Sequence, residues 1–302
     1  MKNLLLTAVL GCAAITASAE SPRWLRNVAI SPDGATVAFT YKGDIFTVPV
    51  KGGKATQLTS NPAYDTAPIW SPDGSKIIFS SNREGSMDIF SINASGGTPV
   101  RLTTNSGSET PIAFLNDHEI LFSTSGMPSR ESARAPFLNQ TWKLDISEPG
   151  LRPQLFLSLP MGAASVSESG KVLYQDKKGF ENIWRKHERS SGTSDIWLYD
   201  NGRFTQLTKF NGHDLNPVWK ADGNSFFFIS EEDGTLNVYE ATADGKSKKQ
   251  LTRFAKHPVR HLSAAGNGTI AFSWDGDIYT MRPGREPQKL VVEIIADQYD
   301  GD

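Results

Sequence analysis

Histidine, serine and the carboxylates are the residue types from which hydrolytic or metal chemistry is built, and their spacing here builds little of it. His257 and His261 stand four residues apart. On a helix that interval places two side chains on one face, as zinc-binding H-E-x-x-H segments require. Pro258 follows the first histidine, however, and the surroundings read as strand and loop, so the two rings need not converge. A polar loop is the plainer reading. Glu231, Glu232 and Asp233 lead into Gly234 and read as a solvated turn. No G-x-S-x-G elbow occurs to expose a serine nucleophile, and no Gly-rich loop runs from a strand into a helix to cradle phosphate. No catalytic residue, metal ligand or cofactor is assigned.

Binding chemistry is better represented. The stretch from Gly179 to Arg189 holds Glu181, Trp184, Arg185, Lys186 and His187. Trp and Arg are the usual anchors of protein contacts, and loops on a rigid scaffold are where function sits. One reading is a contact surface for a peptide or a partner domain. The other is an extended strand and loop with snorkelling charges, and the residues alone leave both open. A second loop, Ser125 to Asn139, carries Arg130, Glu131 and Arg134 and reads as a flexible surface loop.

The elements that would position these loops recur along the chain. Ala67 to Thr103 runs A-P-I-W, Ser-Pro-Asp-Gly, K-I-I-F-S-S, a loop, D-I-F-S-I, Gly-Gly and V-R-L-T. In the turn, Pro presets φ, Asp bonds nearby backbone and Gly takes the left-handed position. Apolar runs on both sides make it a hairpin, and the whole stretch a four-stranded antiparallel meander. The same unit begins before Ser31-Pro32-Asp33-Gly34. Its later copies turn at Leu115–His118, Glu168–Gly170, Ala221–Gly223 and Ala265–Gly268. The third strand of most copies opens on a word such as Asp44-Ile45-Phe46, Asp195-Ile196-Trp197 or Asp277-Ile278-Tyr279, and that of the degenerate third copy is Thr141-Trp142-Lys143-Leu144. Most fourth strands end on a word such as Gln57-Leu58-Thr59 or Gln250-Leu251-Thr252.

Whole four-strand modules repeating every 40 to 50 residues indicate propeller blades. One meander cannot bury both faces, and stacking neighbours in a ring does so while leaving only short edges. The expectation is an all-β, six-bladed propeller over 20–302, with blades near 27–65, 66–109, 110–162, 163–214, 215–261 and 262–299. The aromatic of each third-strand word should fill the space between blades, and its acid should accept backbone N–H bonds at the preceding hairpin. The first unit starts with its inner strand and the last ends with its outer one. The ring is therefore expected to close without a shared strand, by face packing alone.

The 302 residues carry a net charge of −2, with 21% charged and 10% aromatic residues. That is globular composition, and it lacks the basic excess that phosphate neutralisation requires, so nucleic acid is not an expected partner. Residues 1–19 differ. Lys2, an apolar run and Ala17-Ser18-Ala19 form a secretory signal peptide, which places the mature protein in the periplasm or outside the cell. An alternative box, Val9-Leu10-Gly11-Cys12, would leave a lipoprotein anchored through Cys12. The chain's one cysteine lies in this leader, so no disulfide is expected. No later run reaches the length of a transmembrane helix. The acidic tail from Asp297 to Asp302 reads as the start of a linker. Oligomeric state has no sequence correlate here.

The SPDG, D-I-[FY], G-G and Q-L-T words resemble the PD40-type, WD40-like propeller repeats shared by TolB and the tricorn-type proteases. Pro22-Arg23-Trp24-Leu25-Arg26-Asn27-Val28-Ala29-Ile30-Ser31 is similar to the opening of tricorn-like secreted serine peptidases. So are Glu181, Trp184, Arg185 and His187, and the run from His257 through Pro258 and Val259 to Arg260. The resemblance implies the non-catalytic first propeller of such a peptidase, flanking a serine active site carried by later domains and guiding peptide substrate or product. It adds His257 and Arg260 to the binding candidates. The alternative it implies is a TolB-like cell-envelope propeller that binds a protein partner.

Overall fold

Ser31 to Thr36 shows at atomic level how the repeat folds. The Ser31 hydroxyl bonds the Asp33 carboxylate at 2.5 Å, and the same carboxylate accepts the Ala35 N–H at 2.9 Å. These bonds hold the Asp33 carboxyl below its ordinary range. Gly34 has φ +74°, which a Cβ would resist. Ser71 to Lys76 repeats the arrangement, with Asp73 pulled down to about 2 by the Ser71 hydroxyl and the Ser75 N–H and hydroxyl.

The computed structural model describes residues 22–125, 139–148, 150–178 and 187–295. Six four-stranded antiparallel sheets follow one another along the chain, each a meander of successive strands, except that in the first Gly53–Lys54 lies outside the sheet, before the outer strand Thr56–Gln57. Their innermost strands are Arg26–Ile30, Asp65–Trp70, Glu109–Phe114, Met161–Val166, Asp214–Trp219 and Arg260–Ala264. Each contacts the innermost strand of the next blade, and the sixth contacts the first, so the sheets form a closed ring. No helix occurs among the described residues.

The core lies between the blades. The buried apolar residues fall into six clusters, one at each blade joint. Strand alternation makes this possible. Ile77 and Phe79 face the joint with blade one, whereas Ile78 between them faces blade three. The aromatics Phe46, Phe90, Trp142 and Tyr239 of the third-strand words are each at most 4% exposed and pack towards the preceding blade. Burying one such side chain contributes about 1.5–3 kcal/mol.

The acid of that word behaves differently from the sequence expectation. At Asp44 it accepts the Thr59 hydroxyl at 3.1 Å, while the Ile45 N–H donates to the same hydroxyl at 2.9 Å. Asn237, Val238 and Thr252 repeat this at 2.9 Å for both bonds. The threonine of the fourth-strand word thus takes the backbone N–H, because its hydroxyl can accept and donate at once.

No blade is shared between the two ends, as expected. The seam holds more than packed faces, however. After its outer strand, Gln288–Lys289, the chain runs on as Val292–Glu293, parallel to Gly53–Lys54 of the first repeat. Gly53 N–H donates to the Val291 carbonyl and Ala55 N–H to that of Glu293, both at 2.8 Å.

Candidate functional site

Innermost strands line the axis of a propeller, and in all six the pairing with the second strand is interrupted by a bulge. A bulge turns a residue out of the ladder and re-aims it. Asn27, Ala67, Asn216 and His261 sit there at φ between 48° and 55°. Two of them, Asn27 and Asn216, tie neighbouring blades. Asn27 donates to Thr66 of the next blade at 2.8 Å, and Asn216 N–H donates to Gln175 of the preceding blade at 3.2 Å.

His261 is the one titratable member of this group. Its Nδ1 lies 2.9 Å from the Ser273 Oγ, and that hydroxyl also donates to the Arg260 carbonyl at 3.3 Å. Burial pushes the imidazole down to about 4, helped by the positive charges of Arg260 and Arg26. The residue is half-buried, and the loss of hydration penalises the charged imidazolium, which is why it resists protonation. A serine against a histidine is the beginning of a nucleophile–base pair. Here the imidazole is a weak base, no carboxylate of a described residue bonds it, and Ser273 is 6% exposed. The contact anchors the bulge.

The sequence-based binding candidates divide. Glu181, Trp184 and Arg185 lie outside the described residues. His187 donates its backbone N–H to Glu231 Oε2 at 3.0 Å, with its ring nitrogen 3.9 Å from the same oxygen. His257 belongs to the sixth blade: Trp274 donates its indole N–H to the His257 carbonyl at 2.9 Å, and His257 Nε2 lies 3.4 Å from Asp275. His257 and His261 therefore turn to Asp275 and Ser273 respectively, and do not share a ligand position. Arg260 opens the inner strand beside His261, and burial lowers its pKa.

Glu231 corrects the reading of residues 231–233 as a solvated turn. It is 3% exposed. Its oxygens accept Arg189 at 3.0 Å, His187 N–H at 3.0 Å and His213 N–H at 3.1 Å. Arg189 also lies over the Phe210 ring at 4.9 Å. One carboxylate of blade five thereby holds the returning limb of the blade-four loop. Nothing local in Glu-Glu-Asp-Gly distinguishes the first acid from the second.

Sequence reasoning also missed the acids heading three inner strands: Asp65, Glu109 and Asp214, each at most 1% exposed. Asp65 is matched by Arg83 at 2.9 Å. Both Glu109 oxygens and Asp214 Oδ1 find no hydrogen-bond donor of good geometry among the described residues. Their shared place, immediately before an apolar inner strand, was the available signal. Among the described residues, no group of three or more His, Cys, Asp or Glu could hold a metal ion.

Ring, bulged inner strands and loop anchors define a β-propeller built as a rigid scaffold. Residues 22–287 match the tricorn protease N-terminal β-propeller domain, and the chain belongs to that family. Tricorn protease homolog 1 of Streptomyces coelicolor is 27% identical over 272 residues, covering 87% of this chain and 24% of its own. The crystal structure of the tricorn protease superposes with a TM-score of 0.75 at 23% identity, over 89% of this chain and 26% of that one. TolB from Acinetobacter baumannii shares the fold, with a TM-score of 0.56 at 17% identity over 90% and 66% of the two chains. The chain thus spans about a quarter of the length of the tricorn relatives it matches.

Proposed function

We propose that this chain is the non-catalytic propeller module of an exported, tricorn-like serine peptidase, guiding peptide substrates or products to and from a catalytic domain that it does not itself contain. The observation that carries the reading is the family match over residues 22–287, set beside a contact between Ser273 Oγ and the His261 ring that is built as an anchor. His187, His257 and Arg260 would contribute to the contact surface, together with Glu181, Trp184 and Arg185. Partners are then peptides and the peptidase domains of the parent protein. No helix among the described residues is long and apolar enough to cross a membrane. Export would follow cleavage after Ala19, with lipid attachment at Cys12 as the alternative outcome of N-terminal sequencing.

The test is a peptidase assay on the chain alone with fluorogenic peptides. No turnover is expected. Turnover abolished by Ser273→Ala would overturn the reading. Labelled short peptides should meanwhile bind saturably, and His257→Ala should weaken the binding.

A further inference from the structure

The acids that head three inner strands each face an acid of the preceding blade. Asp44 feels the charge of Asp65, Glu109 that of Asp88, and Asp214 that of Asp195. Two carboxylates in one water-poor joint cannot both ionise cheaply unless cations match them. At the joint of blades one and two, Arg83 binds both oxygens of Asp65, at 3.0 and 2.9 Å. Among the described residues, the other two joints lack that match. Arg101 is spent on Asp88 at 2.6 Å, and Lys178 on Asp195 at 2.8 Å.

We infer that Glu109, between blades two and three, and Asp214, between blades four and five, are proton-binding latches: each takes up a proton on mild acidification, and the uptake tightens its joint.

Glu109 is fully buried, and the charges that face it are those of Asp88 and Arg101. Thr103 and Asn105 stand close enough to soften its burial without a well-formed bond, and the Asn105 amide nitrogen is itself without a hydrogen-bond acceptor among the described residues. Burial pushes the carboxyl up to about 7. Asp214 faces Asp195, Lys248, and the hydroxyls of Ser230 and Thr208. Lys248 is engaged by Glu232, and Lys178 is shared between Asp195 and Asp176. His213 beside it gives its N–H to Glu231. Burial pushes Asp214 up to about 6. A carboxyl whose folded pKa is raised adds stability at acid pH and loses it as pH rises through the folded value. The window is therefore the rise from about 4.5 to 7 for Glu109 and from about 3.8 to 6 for Asp214.

The experiment is urea unfolding of the whole chain between about pH 5 and 8, with Glu109→Gln and Asp214→Asn beside the unaltered protein. Each variant is a permanently neutral copy of the latch. The unfolding constant of the unaltered protein, divided by that of Glu109→Gln, should rise at least about tenfold across the range. Taking the ratio cancels the opposing titration of His261. Asp65→Asn, which strips Arg83 of its partner, should instead destabilise and show no such rise. A ratio independent of pH overturns the latch. Should a variant fail to fold, carbon-13 titration of the side-chain carboxyls in the unaltered protein decides. One glutamate with its midpoint near 7 supports the inference, and no glutamate titrating above about 5.5 overturns it.

Discussion

Glu231 is a buried carboxylate with three strong donors, two of them backbone N–H groups, on two different segments of chain. Removing it leaves the Arg189 charge and two amide groups without their acceptor. Loss of one partner from such a cluster is expensive because the others stay where they are. Arg189 is 41% exposed and can turn to water, so Glu231→Ala should lose about 1–3 kcal/mol in urea unfolding, and limited proteolysis should cut between His187 and Thr193 faster than in the unaltered protein. Glu231→Gln keeps the acceptor oxygen and should lose less. His261 makes the complementary residue-scale prediction. Its pKa is depressed to about 4 from 6.5, so its contribution to stability is present above pH 6.5 and is lost as pH falls towards 4. Its ring-proton NMR shift should titrate with a midpoint near 4, and His261→Asn should flatten that part of the pH–stability curve. A midpoint near 6.5 would show the ring to be open to water.

At the scale of elements, the third-strand and fourth-strand words act as one device. Thr252 takes the Val238 N–H and gives its own proton to Asn237. Thr252→Val keeps the shape and leaves the buried Val238 N–H without an acceptor, while Asn237 Oδ1 keeps only the Phe254 N–H at 2.8 Å, so it should cost about 1–3 kcal/mol in urea unfolding. Thr252→Ser keeps the hydroxyl and should cost well under half of that. These words were legible in the sequence because they are local: Ser-Pro-Asp-Gly, Asp-Ile-Phe and Gln-Leu-Thr recur at fixed places, and period-two burial follows from them. How the words bond to each other was not legible, since the Thr59–Asp44 contact closes only when the fourth strand pairs with the third. The site was harder still. Glu231 and Glu232 are chemically alike and adjacent, and only the arrival of Arg189 and His187 from another blade sets them apart. Glu109 and Asp214 head strands just as Asp65 does, and the missing cation that distinguishes them comes from each joint's geometry.

The whole molecule is held by six joints of similar construction, but the sixth must be made by the two ends of one chain. Face packing there is supplied by Val28, Ile30, Phe39 and Val48 against Ala271 and Ile278. To this the chain adds the parallel strap, whose Val292 is 4% exposed. The strap runs tightly over the first blade: a Cβ at Gly52 would lie 2.6 Å from the Val291 carbonyl oxygen, and Gly52 has φ +84°. Deleting residues 291–302 removes one buried valine and the strap's backbone hydrogen bonds, those from Gly53 and Ala55 among them, or about 3–5 kcal/mol. The melting temperature should then fall by roughly 6–12 °C, while the β-type circular dichroism persists because all six four-stranded sheets remain. Gly52→Ala should lower it in the same direction through the clash alone. An unchanged melting temperature in both would mean that the faces of blades one and six suffice to close the ring and that the strap merely rests on it.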